Sequence, residues 1–190
     1  MEQKLIVILG PTASGKSALA VKLAQKFGGE VISADSRQVY KGLDIGSGKI
    51  TKKEMKGIPH HLLSVASPKR RFTVSQYAKL AQKAITSVQK RNKSPFLVGG
   101  SPLYIYALTD GWVIPEVKPN AKLRKKLEVL SVEQLFAKLK KLDPGRAKTI
   151  EAKNKRRLVR ALEIIEATGK AVPQFKKDPL PYSVLFLGVK

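Results

Sequence analysis

Short apolar runs alternate with amphipathic stretches at the start of the chain. Residues 5–9 form a continuous apolar run that ends at Gly-Pro, which predicts a buried strand of a parallel sheet. Residues 17–27 carry apolar side chains at helical spacing and stop at two glycines, and residues 30–33 predict a second strand. This order indicates a right-handed βαβ unit. In this helix Leu19, Leu23 and Phe27 fall on one face, with Ala20 and Ala24 beside them.

The pattern that follows is less regular. Residues 41–72 are rich in Lys, Gly and Pro, and they predict irregular structure with short elements. Residues 74–90 predict an amphipathic helix, residues 95–98 another buried strand and residues 103–108 an apolar helix. The strand is expected to begin at its Pro, where a missing N–H is tolerated.

The second half of the chain has a helical pattern. Residues 119–169 lack a strand signal, and apolar side chains recur at helical spacing over residues 132–142. Asp143 followed by Pro144 predicts the start of a further helix. Residues 154–168 predict a basic amphipathic helix that the next residue, a glycine, ends.

The change of pattern divides the chain into three segments. We predict an α/β core over residues 1–115, a helical RNA-binding segment over residues 116–170, and a return to the core sheet over residues 171–190. In the last segment, a loop over 173–181 precedes a final strand over 184–189.

Charge is the unusual feature of the composition. The 190 residues include 37 Lys and Arg against 14 Asp and Glu, which gives a net charge of +23. A field of this sign attracts polyanions, so nucleic acid is one predicted partner. A Lys-rich surface that is merely solvated is the alternative, and the charge favours nucleic acid over it.

Cysteine content and hydropathy indicate where in the cell the protein is expected. The chain has no cysteine, which excludes disulfides and thiolate metal sites. It lacks an apolar run of membrane-spanning length, and its start lacks a secretory cleavage pattern. These features predict a cytoplasmic protein without a membrane partner.

The loop after the first strand carries the strongest chemical signal. It consists of eight residues, Gly10, Pro11, Thr12, Ala13, Ser14, Gly15, Lys16 and Ser17, and matches the phosphate-binding P-loop pattern. Glycines let backbone N–H groups point at an anion, the lysine adds a positive charge, and the serine hydroxyl is suited to Mg²⁺. The sequence therefore predicts an α/β fold in which a P-loop NTPase-like parallel sheet is flanked by helices, with a small helical subdomain.

Polar residues follow two other predicted strands. Asp35 comes two residues after the second strand, where a carboxylate binds Mg²⁺ through water, acts as a general base or caps a turn. Ser101 follows two glycines at the end of the third strand and either faces the same crevice or belongs to a tight turn. His60 and His61 are adjacent and lack a third ligand at zinc-site spacing, so we do not predict zinc there.

Seven stretches together resemble the tRNA dimethylallyltransferase family. They are GPTASGKSALA (10–20), ISADSRQVYKGLDIGSGK (32–49), IPHHLL (58–63), FTVSQYAKLA (72–81), FLVGGSPLYIYALTDG (96–111), DPGRAKTI (143–150) and NKRRLVRALEIIEATGK (154–170). Members of that family extend further at the carboxyl end. We expect binding of pyrophosphate and Mg²⁺ to depend less on that extension than turnover does.

The resemblance implies a prenyl transfer to RNA. A dimethylallyl group would pass from dimethylallyl diphosphate to the exocyclic amine of adenosine 37 of tRNA. The P-loop would hold the diphosphate, and Ser17 would bind the Mg²⁺ that neutralises it. The partners implied are tRNA and dimethylallyl diphosphate, and the chain is expected to be a monomer.

The resemblance also assigns roles to individual residues. Asp35 would be the general base, with Lys16 and Ser101 as further catalytic residues. Ser101 stands where the family usually has threonine, so the hydroxyl is kept. The residues implied in tRNA binding are Asp35, Ser36, Arg37, Gln38, Ser101, Arg124, Arg156, Arg157, Leu158, Val159 and Arg160.

Three other functions share parts of the pattern. A small-molecule P-loop kinase has the same loop and fold and would bind ATP, but it has no need of so high a positive charge. An adenylate isopentenyltransferase acts on free nucleotide and has no need of the basic helix at 154–168. An RNA-binding protein without catalysis would not need Asp35 together with an intact P-loop.

Overall fold

A computed structural model describes residues 4–111, 117–173 and 180–190. This part of the chain contains five strands: β1 (Lys4–Leu9), β2 (Gly29–Ser33), β3 (His60–His61), β4 (Ser94–Gly99) and β5 (Ser183–Gly188). It also contains eight helices: α1 (Lys16–Phe27), α2 (Lys52–Met55), α3 (Val74–Lys90), α4 (Pro102–Thr109), α5 (Ala121–Glu128), α6 (Val132–Leu142), α7 (Pro144–Thr149) and α8 (Lys155–Thr168). None of the described helices is long and apolar enough to cross a membrane.

The strands form one parallel sheet in the order β3-β2-β4-β1-β5. Strand β4 lies between β1 and β2, so the crossover through α1 passes over one strand position. Pro95 is the second residue of β4 rather than its first; it is paired with Glu30 of β2, and the ladder with β1 begins one residue later. A central strand tolerates this proline because its missing N–H lies outside the β1 ladder.

Alternate side chains of the strands supply two buried layers. Leu5 and Val7 of β1 face helices α3 and α4, while Ile8 faces α1. This sheet with helices on both faces confirms the predicted fold class. The short helix α2 and the two-residue strand β3 lie in the region that the sequence predicted as irregular.

The buried face of α1 agrees with the prediction in part. Its fully buried residues are Ala20, Val21 and Ala24, whereas Phe27 is 56% exposed and Leu19 is only partly buried. Small side chains on this face allow the helix axis to approach the sheet closely, so the larger ones lie at its edges. The predicted end of the helix is confirmed, because Gly28 adopts a left-handed conformation at the C-cap.

The chain divides into two compact units. One contains residues 1–113 and 177–190, and the other residues 114–176. The second unit, described from residue 117 to residue 173, is helical and has a core centred on the fully buried Leu135, Leu139 and Leu158. Asp143 caps α7 by accepting a hydrogen bond from the Arg146 N–H at 2.8 Å, as the sequence predicted. Most of the predicted 173–181 loop lies outside the described residues.

Candidate active site

Three strands of the α/β unit end at the same edge of the sheet. Gly10 follows β1, Ala34 follows β2, and Gly99 and Gly100 lie at the end of β4. A Cβ atom on Gly99 would overlap the carbonyl of Ala34, and one on Gly100 would lie 3.2 Å from the Gly10 carbonyl oxygen. The glycines therefore let the three turns meet, and the polar residues that follow them share one crevice.

The P-loop has the backbone geometry of an anion site. Ala13 and Gly15 adopt left-handed conformations, with φ values of 64° and 83°. Gly15 is the N-cap of α1 and provides no side-chain cap, so the first N–H groups of the helix are available to a ligand. Thr12 and Ser17 are exposed on the loop. The loop is therefore open to a phosphate group from solvent.

Lys16 folds back over its own loop. Its ammonium group donates a hydrogen bond to the Pro11 carbonyl and lies 3.5 Å from Ser14 Oγ. Partial burial lowers the pKa of Lys16, and the nearby negative charge of Asp35 opposes this effect. The lysine and the carboxylate predicted as the base thus lie within electrostatic reach of each other.

Asp35 uses one carboxylate oxygen to shape the turn after β2. Its Oδ1 accepts hydrogen bonds from the backbone N–H groups of Arg37, at 2.7 Å, and Gln38, at 3.3 Å. This is the turn-capping role that the sequence left as an alternative. The second oxygen, Oδ2, has no hydrogen-bond partner within the described ranges, and the side chain is half-buried. Capping the turn therefore does not occupy the atom that a general base needs.

Ser101 connects the turns after β2 and β4. Its Oγ accepts a hydrogen bond from the Ser36 N–H at 3.0 Å, and its own N–H donates to the Ala34 carbonyl at 3.3 Å. The hydroxyl hydrogen remains free to point into the crevice. Ser36 and Arg37 are exposed beside it, whereas the Gln38 amide donates to backbone carbonyls of residues 47 and 48.

A pair of tyrosines beneath Asp35 was not identified from the sequence. The rings of Tyr77 and Tyr104 stack with centroids 3.8 Å apart, and the Tyr77 hydroxyl donates to the Ser33 carbonyl at 2.9 Å. Burial raises the pKa of Tyr104 to about 12, with smaller contributions from Tyr40 and Asp35. The stack supports the end of β2. No sequence signal could have found it, because its members lie on separate helices.

The two histidines of β3 have different environments. His61 Nε2 lies 2.7 Å from Glu30 Oε2, and the same carboxylate also pairs with Arg91 and Lys93. Burial opposes ionisation of Glu30, but these three partners lower its pKa to about 2. His60 Nδ1 lies 2.8 Å from the Ile58 carbonyl oxygen, and burial lowers its pKa. Within the described ranges, no group of three His, Asp or Glu residues is placed to hold a metal ion.

The sequence of the chain is similar to those of known proteins of one family. The family model described as IPP transferase matches residues 38–190. The tRNA dimethylallyltransferase of Roseiflexus sp. (strain RS-1) is 45% identical over 183 residues, and that of Halalkalibacterium halodurans is 42% identical over 197 residues. The chain belongs to the IPP transferase family.

Solved structures of this family match the fold. A tRNA isopentenylpyrophosphate transferase from Bacillus halodurans is 41% identical, with a TM-score of 0.63 over 98% of this chain and 60% of its own. A eukaryotic dimethylallyltransferase acting on tRNA is 34% identical, with a TM-score of 0.82 over 98% of this chain and 48% of its own. The alignments with the two curated relatives cover 94% and 100% of this chain but only 60% and 63% of theirs.

In this IPP transferase family member, two arginines that the sequence assigned to RNA binding are held by a buried carboxylate. Arg124 makes a bidentate pair with Glu163 at 2.7 and 2.8 Å, and Arg160 Nη1 lies 2.5 Å from Glu163 Oε2. Glu163 is 1% exposed and also accepts from the Asn120 N–H at 2.7 Å. Burial opposes ionisation of Glu163, but these three donors lower its pKa to about 2. Both guanidinium groups therefore have a structural partner.

The other four residues of the stretch 156–160 on α8 differ in their exposure to solvent. Arg156 and Arg157 are exposed, and Arg157 lies 3.4 Å from Glu151 in an exposed ion pair. Leu158 and Val159 are buried in the core of the helical unit, at 0% and 6% exposure. These two side chains pack inside the helical unit and hold α8 in place, and the role of the two residues in tRNA binding stays a prediction.

Proposed function

We propose that this protein transfers a dimethylallyl group from dimethylallyl diphosphate to the exocyclic amine of adenosine 37 of tRNA. The observation that carries the proposal is the proximity of Asp35 to Lys16 at one edge of the sheet. A base for the amine and a cation for the diphosphate then act in the same crevice. The names of the relatives, tRNA dimethylallyltransferases, support the substrates.

The P-loop would hold the diphosphate of the donor. The uncapped N–H groups at the start of α1 and the helix dipole stabilise negative charge at this position. Lys16 would release the Pro11 carbonyl and bind a phosphate oxygen instead. These contacts strengthen as charge develops on the departing pyrophosphate, and this difference is what accelerates a reaction.

The residues present fit a Mg²⁺ ion that arrives with its diphosphate. Ser17 is exposed at the start of α1, and Mg²⁺ in such sites takes most of its ligands from phosphate oxygens and water. Since the described residues contain no cluster of three carboxylates or histidines, the protein would contribute Ser17 and few further ligands. When bound, the ion would neutralise charge on the pyrophosphate.

Asp35 would accept the proton of the reacting amine. The adenosine nitrogen forms a bond to C1 of the dimethylallyl group as the C1–O bond breaks, and the pyrophosphate leaves with the bonding electrons. The amine proton passes to Oδ2 of Asp35, the oxygen that the turn does not use. Ser101 Oγ and the Ser36 and Arg37 side chains would line the adenine site, while Gln38 would hold the neighbouring loop.

RNA binding would rely on exposed cations. The net charge of +23 favours a polyanionic partner, and Arg156 and Arg157 present two of these charges on α8. For the acceptor adenine to reach the crevice it must leave its stack, as in other enzymes that modify a base.

The direct test is an incubation of the 190-residue protein with labelled dimethylallyl diphosphate, MgCl₂ and unmodified tRNA. The expected result is label in the RNA and release of pyrophosphate in equal amount. A parallel incubation contains AMP in place of tRNA, and transfer of label to AMP but not to tRNA would contradict the proposed acceptor. In a third incubation with ATP and small-molecule acceptors, phosphoryl transfer, with no label in RNA in the first, would indicate a kinase.

A further inference from the structure

His60 shares a cavity with the serine of the P-loop. The cavity has a volume of about 20 Å³, and its polar side chains are Ser17, Ser33, Gln38 and His60. The neighbouring His61 is engaged elsewhere, because its ring nitrogen pairs with Glu30. The side chains of adjacent strand residues point to opposite faces of the sheet, so of the two histidines only His60 faces the P-loop.

The hydrogen bonds of the His60 ring identify its free atom. A carbonyl oxygen only accepts, so the nitrogen facing the Ile58 carbonyl, Nδ1, carries the proton of the neutral ring. The other nitrogen, Nε2, is then an acceptor. It is sealed from solvent and has no partner among the described residues. Leaving a buried acceptor without a donor destabilises the folded protein, so a donor is expected in the cavity.

The cavity has the size and polarity for a single water molecule. One water requires about 10–15 Å³ and two to four polar partners. The Gln38 amide nitrogen donates to carbonyls at 3.2 and 3.3 Å, which leaves its oxygen as an acceptor. The Ser17 hydroxyl is the donor that a water between these groups would need.

We propose that His60 is a positioning residue for the diphosphate site: its Nε2 accepts a hydrogen bond from one water in this cavity, and that water accepts the hydroxyl hydrogen of Ser17. This proposal rests on the proposed function, in which Ser17 binds Mg²⁺. With its hydrogen directed into the cavity, the hydroxyl presents its lone pairs to the metal. Partners of this kind orient metal ligands in other proteins.

Two substitutions of His60 distinguish the role of Nδ1 from that of Nε2. An Asn side chain places its amide near the position of Nδ1, and a Gln side chain places its amide near the position of Nε2. Binding of inorganic pyrophosphate is measured by titration calorimetry with and without MgCl₂. We expect His60→Asn to reduce the Mg²⁺-dependent gain in affinity by about 10–100-fold, with affinity in the absence of Mg²⁺ unchanged. His60→Gln is expected to retain most of the gain.

His61→Asn is the matched control, since it removes the Glu30 contact from the same strand. It is expected to lower the melting temperature and to leave the Mg²⁺-dependent gain intact. An undiminished gain in His60→Asn overturns the positioning role, as does an equal loss in His60→Asn and His60→Gln. If the unsubstituted protein itself shows no Mg²⁺-dependent affinity for pyrophosphate, the proposed function falls together with this inference.

Discussion

Glu163 of the helical unit and Asp35 of the α/β unit use paired charges in opposite ways. In the helical unit, Glu163 is buried, and its oxygens are bound by Arg124, Arg160 and a backbone N–H. In the α/β unit, Asp35 is half-buried and keeps one oxygen free, while Lys16 contacts only its own loop within the described residues. A structural ion cluster satisfies its charges internally. A site that must bind a ligand leaves some of its hydrogen-bonding capacity unused.

The largest effect is expected from Asp35→Asn. The amide oxygen still accepts from the Arg37 and Gln38 N–H groups, so the turn should persist while the base is lost. General base catalysis contributes about 10²–10⁴-fold, and transfer of label to tRNA should fall by that factor. Pyrophosphate affinity and melting temperature should remain close to those of the unsubstituted protein.

Glu54→Gln serves as the control for that experiment. This exposed carboxylate belongs to the capping box of α2, where a glutamine can accept the same hydrogen bonds. Full activity in Asp35→Asn would leave the carboxylate with its turn-capping role alone, and the contrast between Asp35 and Glu163 would disappear.

Acid should destabilise the protein through its two buried glutamates. Glu30 and Glu163 each have a pKa lowered to about 2, so the folded state favours their ionised forms. The stability that they contribute is complete above the pKa of an unfolded glutamate and is lost as pH falls toward 2. One pKa unit corresponds to about 1.4 kcal/mol, so each glutamate contributes roughly 3 kcal/mol to the free energy of unfolding. Urea denaturation between pH 6 and pH 3 should show this loss.

Glu163→Gln should destabilise the helical unit at neutral pH. Arg124 and Arg160 would lose their counter-charge beside a buried side chain, which costs about 2–3 kcal/mol. The readout is the urea midpoint of the 190-residue protein, followed by the helical circular dichroism signal. Glu166→Gln removes an exposed charge from the same helix and should have little effect. An equal loss in both variants would show that the cluster has no special role.

The smallest expected effect concerns RNA binding by α8. Arg157→Ala removes an exposed guanidinium, and we expect tRNA affinity to fall by a few fold. The slope of log affinity against log salt concentration should become shallower by about one. Lys140→Ala removes an exposed charge from α6 without touching α8. If both variants weaken binding equally, overall charge rather than this helix determines affinity.

The local elements could be predicted because their signals are local. The apolar run of β1, the Asp143-Pro144 start of α7 and the glycine after α8 each depend on neighbouring residues, and the structure confirms them. Phosphate binding by the P-loop stays a prediction. The family resemblance was also found in the sequence, because its motifs are short and ordered. The buried face of α1 was predicted in part: Ala20 and Ala24 are buried, whereas Phe27 is exposed, because helical periodicity does not show which residues of a face lie nearest the sheet.

The sequence by itself determined the fold class and the family of this protein. Only the tertiary structure decided which charges are available for function. Arg124 and Arg160 look equivalent to Arg156 and Arg157 along the chain, yet a carboxylate three residues beyond Arg160 binds the first two. The strand order likewise brings Asp35, Lys16 and Ser101 to one edge. The physical reason is that burial and pairing depend on contacts between residues distant in sequence, and periodicity carries no information about them.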